Sequence, residues 1–270
     1  MNTIKWSGMT HPGRHRKNNE DGFLGLILFE NEAHYLGKED AYPMDNTEFV
    51  FAVSDGMGGA NAGDFASKVA LQSVMKRLPN AIRNVEDIPE ARMAALYRIF
   101  EEIHEEIVSV SRYYSECKGM GATLSLCWVQ GLNVTFGHIG DSRIYRIPFE
   151  QAIVQISEDH SEVGRLFREG KLNERTLKNH PYKHILDQSL GGNLRTIEPQ
   201  VGEFTWTKGD YLVLCSDGIC DGLYNRTIES TIVRPSPNIA HLRLSERLVK
   251  EALFSSSQDN LTAMVIRFHE

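Results

Sequence analysis

Phe49-Val50-Phe51-Ala52-Val53-Ser54-Asp55-Gly56-Met57-Gly58-Gly59 is an apolar run that stops at a carboxylate set among glycines. Apolar residues ahead of such a polar stop predict a buried strand. Asp55 then falls at the strand's end, where a side chain leaves the core, and Gly56, Gly58 and Gly59 let the backbone turn without a Cβ in the way. The phrase recurs downstream, where Tyr211-Leu212-Val213-Leu214-Cys215 runs into Ser216-Asp217-Gly218. One Asp-Gly after a strand is what any tight turn requires. Two after matched strands deliver two carboxylates at the same kind of exit. A third, Asp259, stands ahead of the closing apolar run 261–268 and suggests that the two ends of the chain meet.

Outward from these strands the periodicity changes. Phe65, Ala66, Val69, Ala70, Val74 and Leu78 predict a helix over 62–78, and Met93, Leu96, Phe100, Ile103, Ile107 and Val110 a second over 89–113, with Glu101, Glu102, Glu105 and Glu106 on its wet face. Strands follow at 122–129, 133–139, 143–147 and 153–156, broken by turn residues as in an antiparallel meander. A short helix is expected at 162–169, strands at 200–206 and 211–215, and a helix at 240–253. Residues 30–47 read as an extended loop. Strands, two long helices, more strands and one late helix make an α+β order. The continuous apolar strands at 49–53 and 211–215 need cover on both faces, so we expect two stacked, mainly antiparallel sheets flanked by helices, an αββα sandwich. No Pro/Gly/Ser-rich linker divides the chain, which predicts a single domain over 1–270. The charged segment 161–188 is expected to form a mobile flap.

A net charge of -7 argues against a nucleic-acid footprint, and 41% hydrophobic with 24% charged residues predicts a soluble globular protein. No apolar run approaches the roughly 20 residues that span a bilayer, and the first residues lack a signal-peptide core. The expectation is a cytoplasmic monomer without membrane partners. Cys117, Cys127, Cys215 and Cys220 form no Cys-x-x-Cys pair and read as reduced structural thiols.

Glu20, Asp21, Asp55, Asp141, Asp217, Asp221 and Asp259 each sit at a strand end or beside a turn. So many acids brought together repel unless cations sit among them. Oxygen donors without Cys or His at zinc spacing favour hard ions, magnesium or manganese. Two such ions side by side are suited to splitting phosphate esters, because they bind phosphoryl oxygens and activate a bridging water.

Seven motifs in register carry a resemblance. They are Gly13-x-x-Arg16-x-x-Asn19-Glu20-Asp21, Asp55-Gly56-Met57-Gly58-Gly59, Gly119-Met120-Gly121-Ala122-Thr123, Gly140-Asp141-Ser142-Arg143, Glu158-Asp159-His160-Ser161, Ser216-Asp217-Gly218-x-x-Asp221 and Asp259-Asn260-x-Thr262. In this order they resemble the metal-dependent protein serine/threonine phosphatases of type 2C (PPM), in particular their compact bacterial members. The resemblance implies hydrolysis of phosphoserine and phosphothreonine in proteins, the targets of serine/threonine kinases, by a water bridging two Mn2+ or Mg2+ ions. It implies that Asp55 bridges the ions and Gly56 offers its carbonyl, that Asp217 and Asp259 complete the ligands of the first ion, and that Glu20 and Asp21 hold the second, largely through waters. Asp141, with Asp217, would match a third, weaker position. Arg16 would bind the substrate phosphate, for which a planar guanidinium is well shaped, while Asp221 and Asn260 would orient the ligands; by itself Asp221 reads equally as a helix N-cap. Many eukaryotic members carry a proton-donating His where this chain has Met57. Methionine cannot donate, which leaves a water or one of His160, His180 and His184. Two rival readings stand beside this one, a phosphoprotein-binding pseudophosphatase and a hydrolase of small phosphoesters.

Overall fold

In a computed structural model the described residues are 2–29, 32–45, 47–58, 62–255 and 257–269. Gly59, the last glycine of the opening motif, lies outside them. Two antiparallel sheets stack face to face. The first has six strands in the order β10 (Val154–Gln155), β9 (Arg143–Ile147), β13 (Tyr211–Cys215), β14 (Leu261–His269), β1 (Thr3–His11) and β4 (Glu39–Pro43). The second runs β11 (Leu190–Gly191), β6 (Gly121–Ala122), β5 (Glu48–Met57), β7 (Leu124–Gln130), β8 (Asn133–Ile139) and β12 (Gln200–Thr205), with β2 (Asp21–Leu28) also on β5 and β3 (Ala33–Tyr35) on β2.

Side-chain alternation in the two apolar strands builds the layers. Along β5, Phe49, Phe51 and Val53 point between the sheets, where they meet Trp6, Leu212, Leu214, Met264 and Ile266. Val50 and Ala52 point the other way, against α1 (Ala62–Arg83) and α2 (Pro89–Tyr113). In β13, Leu212 and Leu214 face the central layer, while Val213 and Cys215 face α5 (Asp217–Gly222), α6 (Asn225–Val233) and α7 (Leu244–Phe254). A period of 2 cannot hide a continuous apolar strand on one face, so each sheet is covered twice. The expected αββα sandwich is therefore present.

Several elements differ from expectation. Residues 30–47 carry β3 and β4, which are exposed throughout and held by backbone pairing to edges. The 62–78 helix continues to Arg83, and the 240–253 helix begins only at Leu244. Asp221 is no N-cap; it lies inside α5, whose N-cap position is Ser216. Residues 161–188 fold as α3 (Glu162–Arg168) and α4 (Glu174–Lys178), capped by the side chains of Ser161 and Asn173. No described helix is long and apolar enough to cross a membrane.

Candidate metal centre

The strand ends converge at one rim of the sandwich. Asp21 and Asp55 are direct partners in the β2–β5 register, so antiparallel pairing alone puts two carboxylates side by side. β14 lies between β13 and β1, which sets Asp259, just ahead of it, close to Asp217 and to the 12–20 loop. Asp141 arrives from the turn between β8 and β9.

Polar side chains fix this geometry. The backbone N–H of Asp55 donates to Thr123 Oγ1 at 3.0 Å and its carbonyl accepts from Thr123 N at 2.8 Å, while Thr123 Oγ1 also meets Ser142 Oγ at 2.7 Å, one residue from Asp141. Ser216 Oγ donates to Asp21 Oδ2 at 2.6 Å. Asn260 is the tether: its Oδ1 accepts from Glu20 N at 2.8 Å, and its Nδ2 donates to the carbonyls of Pro12 at 3.0 Å and Asn18 at 2.9 Å. Two glycines permit the approach. A Cβ on Gly218 would stand 1.9 Å from the Asn260 carbonyl oxygen, and one on Gly56 1.9 Å from that of Gly63. Glu20 and the Gly56 carbonyl share a cradle, for a Cβ on Gly63 would lie 2.8 Å from both Glu20 Oε1 and Gly56 O.

The electrostatics are those of buried acids that outnumber the cations beside them, Arg16, Lys183 and His184. Burial first, then Ser216 and Asp217, set the Asp21 carboxyl, and the net effect raises it from 3.8 to about 7. Burial and the facing acids Asp21, Asp217 and Asp141 hold Asp55 well above the carboxylate range, and burial with Asp217 does the same to Asp141. Burial likewise works against ionised Asp217, but a hydrogen bond and charge from His184 hold it low. Asp21 Oδ1 and Asp217 Oδ1 are buried and have no hydrogen-bond partner among the described residues, which suits them to a cation or a water as partner. A cavity of about 20 Å3 opens among Asp141, Asp217, Asp221 and His184, room for one water or small ion. One ligand atom each from Asp141, His184 and Asp217 lies within 4.8 Å of the others. The donors are nearly all hard oxygens, and the residues fit divalent magnesium or manganese.

Glu20, Asp21, Asp55, Gly56, Asp141, Asp217, Asp221, Asp259, Asn260 and Arg16 come together at this rim. Arg16 donates to Asp259 Oδ2 at 2.7 Å with its side chain 53% exposed, open to an incoming anion. The sequence reading named His184 only as a candidate proton donor and missed the pairings that surround the acids. Lys183 Nζ bonds Asp221 Oδ2 at 2.6 Å, and His184 stands 3.3 Å from Asp217 and 3.6 Å from Asp221. Arg143 and Asp159 form a buried fork at 2.6 to 3.2 Å behind Asp141. Cys215 and Cys220, reduced as expected, face each other with Sγ atoms 3.4 Å apart. Arg143 and Asp159 were visible as parts of separate motifs, but nothing in their spacing announces the pairing. Of the three candidate proton donors, His160 is pushed by burial and Arg168 down to about 4 and accepts from Gly140 N, and His180 packs on Tyr182. Only His184 reaches the acids.

Residues 36–253 match the family described as protein phosphatase 2C. The serine/threonine phosphatase stp of Listeria monocytogenes serotype 4b is 30% identical over 262 residues, covering 95% of this chain and 93% of the relative. Among solved structures, the serine/threonine phosphatase of S. agalactiae superposes with a TM-score of 0.80 at 26% identity, over 99% of this chain and 100% of the other. The catalytic domain of the phosphatase PstP, solved in complex with two manganese ions, shares the fold with a TM-score of 0.74 at 24% identity, over 100% of both chains.

Proposed function

The chain belongs to the protein phosphatase 2C family of serine/threonine phosphatases, and from that premise we propose that it removes phosphate from phosphoserine and phosphothreonine in proteins at the acidic rim. The observation that carries this reading is the convergence of Asp21, Asp55, Asp141, Asp217 and Asp259 around two buried carboxylate oxygens without a protein partner. Asp55, the Gly56 carbonyl, Asp217 and Asp259 would hold one Mn2+ or Mg2+ ion, Glu20 and Asp21 with Asp55 a second, and Asp141 with Asp217 a third. When bound, such ions supply charge for the phosphoryl oxygens and a water acidic enough to attack phosphorus at neutral pH.

The chain's own groups do the rest. Arg16, already oriented by Asp259, presents its outer N–H groups to the phosphate and fixes its direction. Ser216 holds Asp21 by one oxygen, which leaves the other free for a ligand. Asn260 keeps Glu20 on the rim although Glu20 sits on a loop. We read 161–188 as a flap that governs which protein substrates enter: Lys178 Nζ donates to the Cys220 carbonyl at 2.6 Å and Lys183 pairs with Asp221, which ties it to α5 beside Asp217, while Glu174 Oε1 accepts from Asn225 N at 2.7 Å in α6. Shortening it is expected to impair phosphopeptide turnover and spare p-nitrophenyl phosphate; proportional loss of both would count against it.

The test of the main reading is phosphopeptide hydrolysis with manganese, with excess chelator, and in Asp55→Asn. Turnover that needs the metal and disappears in the variant supports it. Turnover surviving exhaustive chelation overturns it. Binding of phosphopeptide without turnover would instead favour a pseudophosphatase, and faster turnover of phosphometabolites than of phosphopeptides a small-molecule enzyme.

A further inference from the structure

A groove of about 1250 Å3 opens where the C-terminal end of α2 meets the loop after β11. Arg112, Lys118 and Arg195 line it, all exposed, and none has a hydrogen bond or ion pair with another side chain among the described residues. One acid, Glu105, shares the wall. A local excess of cations stands out in a chain of net charge -7. Arg112 lies in the last turn of α2, where helix carbonyls favour a cation anyway; Lys118 and Arg195 have no such local reason. Tyr113 completes the rim with its side chain turned to solvent, 83% exposed, an aromatic of the kind enriched in protein contacts.

The floor of the groove is hydrogen-bonded and joins the strands that lead to the metal centre. Gly192 N donates to the Met120 carbonyl at 2.7 Å, and Gly191 N to His104 Nδ1 at 3.0 Å. The next residue, Gly121, pairs with Met57, two positions beyond Asp55. A peptide seated with its phosphate at the acids can therefore run along this edge into the groove. The groove is larger and more open than the usual 300 to 1,000 Å3 small-molecule pocket, roughly speaking, and suits a length of chain.

We propose that the groove takes an acidic segment of the phosphoprotein substrate, a few residues removed from the phosphorylated side chain. The inference rests on the phosphatase reading above and adds the substrate class. Carboxylates next to the phosphate would be repelled by the rim acids, whereas carboxylates in the groove meet three cations with no competing partner. These acidic residues lie on the stretch of the peptide that leaves the phosphorylated residue toward the groove, each residue of an extended chain advancing about 3.3 to 3.6 Å.

Two phosphothreonine peptides that differ only in carrying Glu or Gln at those positions test it, with p-nitrophenyl phosphate, too small to touch the groove, reporting the metal centre alone. The native enzyme is expected to show a KM roughly tenfold lower for the Glu peptide, as three solvent-screened contacts allow, and Arg112→Ser/Lys118→Ser/Arg195→Ser to lose that preference with p-nitrophenyl phosphate turnover intact. Lys118→Glu alone, a smaller change, is expected to favour a Lys-bearing peptide instead. Equal KM for both peptides in the native enzyme, or an unchanged preference in the triple variant, overturns the groove while leaving the phosphatase reading standing. Turnover of p-nitrophenyl phosphate with neither peptide hydrolysed overturns both. Inhibition by an oligonucleotide with no effect of peptide acidity assigns the groove to nucleic acid and overturns the proposal.

Discussion

Replacing Asp21 by Asn is expected to stabilise the metal-free protein at alkaline pH. Burial raises this carboxyl from 3.8 to about 7 in the folded state. Between those values the folded protein keeps a proton that the unfolded chain has released, so the stability this brings is present in acid and lost as pH rises through about 7. Each pH unit of such mismatch is worth about 1.4 kcal/mol, so the step from pH 5 to pH 8 removes about 3 kcal/mol on account of Asp21 alone. An amide cannot ionise, and its oxygen still accepts the Ser216 hydroxyl, which donates to Asp21 Oδ2 at 2.6 Å. Thermal unfolding in excess EDTA at pH 5 and pH 8 reads the difference. For a chain of this size 3 kcal/mol corresponds to roughly 5 to 10 °C in Tm. The variant should lose that much less than the native protein over the same pH step. Manganese should reverse the order, since ligand at a hundred times Kd adds about 2.7 kcal/mol to a chain that binds it. An identical pH dependence in both proteins would refute the reasoning.

Asp217→Asn is expected to abolish phosphopeptide hydrolysis with the circular dichroism spectrum unchanged; residual turnover above one per cent of native, as roughly tenfold or more below the loss of an essential group, would count against its place in the centre. Asp159→Ala leaves the Arg143 guanidinium buried and unpaired and should cost about 3 to 5 kcal/mol in urea unfolding, against little change if the pair were solvated. His138, lowered to about 3 by burial and His160, stays neutral in the fold while the unfolded chain takes a proton from about pH 6.5 downward, so it subtracts about 1.4 kcal/mol of stability per pH unit as pH falls from 6.5 to 3; His138→Gln should flatten that limb of the unfolding profile.

Much of the architecture was legible because the deciding strands are apolar on both faces, and β5 and β13 alone imply a covered double layer. The acids were legible for a related reason, since each interrupts an apolar run where a strand must stop. What escaped the reading is what pairing at a distance decides. β1 has little sequence signal beyond Ile4 and Trp6, yet nine residues of it lie along β14. β3 and β4 bury nothing and exist because neighbouring edges offer hydrogen bonds. Asp221 looked like a cap because Asp often caps helices, whereas the chain turns helical four residues earlier at Asp217. Lys183 lay in a segment whose many charges gave no hint of which would find the acids, and His184 was one of three histidines that the sequence could not rank.

The Asn260 tether spans 240 positions of sequence to reach Glu20. On a ribosome adding about 5 to 20 residues per second, the two halves of the centre are separated by roughly 10 to 50 seconds of synthesis. During most of that interval the growing chain carries Asp21 and Asp55 but neither Asp259 nor the strand that lies between β13 and β1, and once β13 is made its edge stays unpaired until β14 follows. A polypeptide halted before residue 260 therefore has neither the Asn260 tether nor the strand that covers the β13 edge, and that open edge invites pairing with other chains.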